Sequence, residues 1–235
     1  MSAMGHGGER AAREEGRQSK GYRGVAMEGF IARWYTKVRS TPEQLAGNVA
    51  EARRLTQGLA AGSGVLEVAP GPGFLSIEMA RDGRFPVTGV DISRTFVGIA
   101  QENARRAGVK VTFREGNASD LPFPDGSFDR IITQAAFKNF SEPQRAVDEM
   151  YRVLRSGGQA IIQDMRRDAT DAAIDREVAS MNLSGLRAYM TRRALRGLRG
   201  RAYTPQQFDE FARRSPFGGC TLTTDRIGQE IRLQK

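Results

Sequence analysis

The feature that most constrains this chain is a rhythm that begins at residue 64. Short β-branched runs stand at about 64–69 (GVLEVA), 87–91 (VTGVD), 109–114 (VKVTFR), 128–134 (FDRIITQ) and 158–164 (GQAIIQD). Stretches of helical spacing separate them, at about 74–82, 94–107 and 143–155. Parallel strands need long crossovers, and crossover helices cover the sheet, so this alternation predicts a parallel α/β sheet. Two further extended runs, 219–225 and 229–234, flank Arg226-Ile227-Gly228 and read as an antiparallel hairpin. The expected fold is a doubly wound, seven-stranded α/β sheet, mostly parallel with a C-terminal antiparallel hairpin. The 235 residues suffice to bury such a core.

Other segments fall outside the rhythm. Residues 1–24 carry scattered glycines and charges of both signs, and read as a flexible tail. Residues 25–60 read as a helical cap. Met27, Phe30, Ile31, Trp34 and Val38 form an apolar stripe. Thr41 and Pro42 then cap a second helix that stops near Gly58. The main domain spans 61–235, with a helical lid insertion at about 168–203 striped by Met181, Leu183, Leu186, Met190, Leu195 and Leu198. Thr204-Pro205 starts another helix, to about 213.

Composition removes several chemistries. The lone cysteine, Cys220, excludes an intrachain disulfide and a Cys-rich zinc site. The lone histidine, His6, lies in the tail, which argues against a histidine base or a histidine-rich metal site. There is no apolar run of the ~20 residues a membrane span needs, and no apolar signal-peptide core, so a cytoplasmic protein without a transmembrane segment is expected. The net charge of +9 invites a nucleic-acid reading, but charge speaks to partners and not to fold.

Four ordered motifs carry the chemistry. The first strand ends in Glu67-Val68-Ala69-Pro70-Gly71-Pro72-Gly73 and runs straight into a helix, which offers free N–H groups and close backbone approach. The third glycine of the dinucleotide fingerprint is absent, and Glu67 suits a ligand bearing an ammonium group. Asp91 ends the second strand, where a carboxylate can accept both hydroxyls of a ribose. The loop from Glu115 to Asp129 leads into the fourth strand, and Tyr151–Gly158 closes a helix on a glycine C-cap. Together, over roughly residues 60–165, these motifs resemble the class I S-adenosylmethionine-dependent methyltransferases. The group that includes the ubiquinone/menaquinone-biosynthesis enzymes is the nearest likeness.

The resemblance implies a donor site for S-adenosylmethionine, with S-adenosylhomocysteine as product and no metal. Glu67 would face the methionine amino group, and Ala69, Gly71 and Gly73 would pass under the methionine moiety. The family usually has glycine where Ala69 stands. Asp91 would hold the ribose, Ile92 would pack on adenine, and Asn117 and Ala118 would read its edge. Gln134 would lie by the methionine carboxylate and sulfonium.

Transfer from a sulfonium demands positioning more than acid–base work. Lys138, Asn139 and Asp164 stand as candidate catalytic residues, with Asp164 read in preference as a cap or as the ion-pair partner of Arg166 or Arg167. Tyr35, Phe137, Phe140, Tyr189, Arg192 and Arg196 stand as candidate acceptor contacts, the two phenylalanines equally readable as core. Ala135-Ala136 offers no carboxylate for a metal-dependent type. Six arginines and no acid lie in 187–201, with Arg192, Arg196 and Arg199 on one helical face. They read as a solvated lid face, a site for an anionic substrate, or an RNA or membrane surface. The expected activity is methylation of a small-molecule acceptor. RNA methylation through the arginine segment and donor binding without turnover stand as alternatives. The 27–58 helices could pair in a homodimer.

Overall fold

The computed structural model describes residues 21–23 and 27–235; His6 and the rest of the expected tail up to residue 20 lie outside the described residues. Seven strands form one sheet in the order β3-β2-β1-β4-β5-β7-β6. They are β1 (Val65–Val68), β2 (Val87–Asp91), β3 (Val111–Glu115), β4 (Phe128–Gln134), β5 (Leu154–Met165), β6 (Thr221–Asp225) and β7 (Gly228–Gln234). β1 to β5 run parallel, whereas β7 is antiparallel to both β5 and β6. The chain winds outward from β1 through β2 to β3, then returns to β4 on the other side of β1. The crevice at the carboxyl ends of β1 and β4 is the topological switch point, where sheets of this kind place their ligands.

Among the described residues eight complete α-helices accompany the sheet: α1 (Gly29–Arg39), α2 (Pro42–Leu55), α3 (Phe74–Ala80), α4 (Arg94–Ala107), α5 (Pro143–Val153), α6 (Asp171–Ser180), α7 (Gly185–Arg199) and α8 (Pro205–Arg214). Local chemistry explains their starts. The hydroxyls of Thr41, Ser93, Thr170 and Thr204 accept N–H groups of the first turns of α2, α4, α6 and α8. β1 is buried along its whole length, as a central strand covered on both faces must be. Leu66, Ile131, Phe137 and Met150 belong to the core on one face, and Leu55, Val65, Leu75 and Ile132 to that on the other.

Three details depart from the sequence reading. α5 ends at Val153 with Leu154 already extended, so the helix stops in a strand and not on a glycine C-cap. Leu154 is opposite Phe128 while Gln159 is opposite Arg130, so the residues between bulge, with Gly157 at φ +79°. The complete burial of Leu154 and the 2.6 Å ion pair of Arg155 with Asp129 draw this stretch into the sheet early. Second, residues 21–23 pair with the chain at 139–141 through Tyr22 and Phe140, although the sequence assigns them to the tail. Third, the apolar stripe of α1 is not core: only Ala32 is buried on that helix.

The loop before β4 is held by one side chain. Arg152 donates to the carbonyls of Leu121 and Phe123 at 2.9 and 2.8 Å, and pairs with Glu149 and Asp125. Glu149 in turn accepts from Leu121 N at 2.7 Å. The motif around Tyr151–Arg155 thus serves to fix the loop that carries Asn117.

The Phe113 ring sits where two glycines leave room. A Cβ on Gly89 would lie 2.5 Å from Phe113, and one on Gly73, at φ +78°, would lie 2.7 Å from it. Gly89→Ala is expected to destabilise by about 1–3 kcal/mol through overpacking. Gly98→Ala, at an exposed α4 position with open space around it, is expected to stabilise by up to about 1 kcal/mol. Urea unfolding of the two variants checks these opposite signs.

Candidate active site

At the switch point lies a cavity of about 610 Å³, within the range of small-ligand pockets. Its floor is the turn after β1. Ala69 leaves the strand at φ +59° and Gly71 at φ +55°, both left-handed. The left-handed conformation costs an alanine about 1–2 kcal/mol, which is why glycine would suit position 69. A Cβ on Gly71 would meet nothing nearer than Phe96 at 4.0 Å. Gly73 does not line the cavity; it packs beneath the turn, as described above.

Two buried carboxylates face this turn. Burial pushes the Glu67 carboxyl up to about 7, against the hydrogen bond from the Ser76 hydroxyl. Burial likewise pushes Asp91 up to about 6. Asp91 accepts Ser93 N at 2.8 Å and Gly71 N at 3.0 Å, so it ties the β2 end to the β1 turn. Neither carboxylate has a cationic partner among the described residues. Buried anions are ordinarily paired, so this pair leaves room for a cationic partner that is not found among the described residues.

Ile92, Asn117 and Ala118 line the same end of the cavity. Asn117 Oδ1 accepts Ser119 N at 3.0 Å, which fixes the amide in an Asx turn. Gly21 passes directly over this end: a Cβ there would lie 2.4 Å from Ile92 and 2.9 Å from Asn117. Burial raises the Tyr22 hydroxyl above its ordinary value, and Tyr22 also lines the cavity. Gln134 lines it too, but its amide donates to Gln163 at 2.6 Å and to Glu51 at 3.3 Å.

The far end is built by the 3₁₀ turn after β4 and by the end of β5. Lys138 and Asp164 form a buried ion pair of 2.8 Å. Asp164 also accepts the backbone N–H groups of Lys138 and Met165, at 2.8 and 2.7 Å. Its partner is therefore Lys138 and not Arg166 or Arg167; Arg166 pairs with Asp168. With both carboxylate oxygens so engaged, Asp164 clamps the turn that carries Lys138 to the end of β5. Asn139 Oδ1 is buried with no partner among the described residues. Phe140 and Tyr35 contribute to the wall.

Four sequence-designated residues besides Gly73 are elsewhere. Phe137 is wholly buried and packs on Phe140, Tyr203, Phe208 and Phe211, so it is core and not an acceptor wall. Tyr189 is exposed on α7, outside the cavity lining. Arg192 and Arg196 pair with Asp175 and Asp171 of α6, which keeps them from the cavity. Sequence reasoning missed Met27, Trp34, Met165, Leu195, Arg201 and Ile227 as lining residues. The stripe of Met27 to Val38 signalled Met27 and Trp34, the lid stripe Leu195 and the arginine segment Arg201, though none was assigned to the site; Met165 and Ile227 lie near element ends with no motif to mark them.

Against this geometry the comparisons with known proteins fall into place. Residues 66–162 match the family model described as "Methyltransferase domain". A demethylmenaquinone methyltransferase of Thermus thermophilus is 36% identical over 99 residues, covering 42% of this chain and 45% of that protein. The match thus spans under half the length of that relative. A SAM-dependent methyltransferase structure from Aquifex aeolicus superposes with a TM-score of 0.64 at 17% identity, over 88% of this chain and 99% of that one. The cyclase SpnF gives 0.50 at 28% identity, over 63% of this chain and 52% of that one. Over residues 66–162 the chain carries a match to a methyltransferase domain, and there it is similar to the demethylmenaquinone methyltransferases.

Removing one member of a buried ion pair strands the other. Lys138→Met is expected to cost about 3–5 kcal/mol, and the double variant Lys138→Met/Asp164→Asn distinctly less. Denaturant melts of both proteins check the order.

Proposed function

We propose that this protein methylates a small-molecule acceptor, with S-adenosylmethionine held over the Pro70–Gly73 turn. The observation that carries the reading is the pair of buried, cation-free carboxylates Glu67 and Asp91 beside that turn. The residues present suit the donor. Glu67 matches an ammonium group, Asp91 retains acceptor capacity for ribose hydroxyls, and Ile92 offers an apolar face. Asn117 Oδ1 has a second lone pair for an exocyclic amine. The open space above Gly71 gives the methionine portion room. Bound there, the donor supplies an electrophilic methyl group on a sulfonium centre.

The chain's own part is orientation and exclusion of water. The Lys138–Asp164 clamp fixes the 3₁₀ turn, and the turn presents Asn139 and Phe140 to the acceptor end. The buried, unpartnered Asn139 oxygen suits an acceptor carrying an O–H or N–H. Segment 21–23 and helices α1, α6 and α7 serve as cap and lid over the two ligands. The RNA reading loses support from the arginines, three of which pair with α6 acids.

Calorimetry with S-adenosylmethionine and S-adenosylhomocysteine tests the donor site; Asp91→Ala is expected to weaken binding by tenfold or more, and unchanged affinity would remove the assignment. The ammonium requires ionised Glu67, so donor affinity is expected to rise with pH through about 7 and to flatten in Glu67→Gln. The same raised value has a cost without ligand. The folded state holds the proton more tightly than the unfolded chain, so the ligand-free fold loses stability as pH rises from the usual carboxylate range to about 7. Glu67→Gln is therefore expected to stabilise the free protein at pH 8 by up to about 3 kcal/mol while weakening donor binding. Thermal melts alongside calorimetry read both signs.

A further inference from the structure

The two helices that flank the cavity mouth leave apolar side chains uncovered. On α1, Phe30 is 80% exposed and Trp34 57%, with Ile31 beside them. On α7, Leu186 is 75% exposed, and Tyr189 and Met190 are more than half exposed. Both helices also reach the cavity rim, α1 through Ile31 and Trp34 and α7 through Leu195 and Leu198.

The charge on these helices has one sign. α1 contains Arg33, Lys37 and Arg39 and no acid, and α7 contains five arginines and no acid. Arg192, Arg196 and Arg199 are neutralised by Asp171 and Asp175. Arg33, Lys37, Arg39, Arg187 and Arg193 have no acidic partner among the described residues. The cations of α1 alternate with its exposed aromatics, and Arg193 lies beside Tyr189 and Leu186 on the helical wheel.

We propose that α1 and α7 form an interfacial surface for anionic lipid headgroups, which sets the cavity mouth against a bilayer. Aromatic and aliphatic side chains sink into the headgroup region while neighbouring Lys and Arg meet lipid phosphates. A second copy fits less well, because a two-fold contact through α1 would press like charges together. RNA would answer the charge, but Ile31, Leu186 and Met190 have no base-edge or stacking role to play.

The chain carries a single tryptophan, Trp34, so in ligand-free protein its emission reports on this one position at the mouth. Wild-type protein is mixed with vesicles of phosphatidylglycerol in phosphatidylcholine, or of phosphatidylcholine alone, and sedimented. With the anionic vesicles, co-sedimentation and a blue shift of Trp34 emission are expected, both weakening as salt rises. Arg33→Glu/Lys37→Glu is expected to bind at least about tenfold more weakly, with unchanged circular dichroism and melting temperature. Phe30→Ser is expected to bind more weakly at every salt concentration. The inference is overturned if the wild type stays in the supernatant, if neutral vesicles bind it equally, or if the charge-reversed variant sediments like the wild type. A Trp34 shift produced by single-stranded RNA or by protein concentration alone, without one from vesicles, assigns the surface to nucleic acid or a second copy and equally overturns it.

Discussion

Everything at the cavity depends on two carboxylates buried without a cationic partner among the described residues. Glu67 sits mid-sheet on the strand most covered by the core, and Asp91 closes the neighbouring strand. Their desolvation is only partly offset, by a serine hydroxyl in one case and two backbone N–H groups in the other. The fold tolerates them because the surrounding apolar layers are extensive. A charged, hydroxylated ligand would relieve both at once, so affinity and stability are coupled through the same two side chains.

The acceptor end follows the opposite design. There the buried charges, Lys138 and Asp164, satisfy each other and the backbone around them. A self-satisfied pair has little left to offer a reacting group, and its role is to hold a short turn still. The Asn139 oxygen at this end, buried without a partner among the described residues, is neutral and offers a hydrogen-bond acceptor and no charge. One end of the cavity is thus suited to a cation and the other to a neutral donor group.

Much of the fold was legible because periodicity is local. β2, β4 and α4 fall on the residues their patterns mark, and the hairpin and the Thr41 and Thr204 caps were signalled by turn and cap chemistry, whereas the Thr170 cap was not. The cavity-lining positions at the ends of β1 and β2 were legible for another reason: they belong to an ordered motif set. What escaped notice depends on distant neighbours. A stripe such as that of α1 shows which residues share a face, not whether anything packs on it. The arginines of α7 looked unopposed within their own segment, because the acids that neutralise them lie on α6. Asp164 was assigned nearby partners, whereas Lys138 reaches it across adjacent strands. Phe137 and Phe140 differ by three residues, and only the packing of α8 decides that one is core and the other wall.

The left-handed backbone at Ala69 has a counterpart at the end of β4, where Ala135 turns out at φ +53°. Both central strands therefore leave the sheet through a conformation that alanine resists, one on each side of the crevice. A chain already bent in this way has little left to reorganise when a ligand arrives.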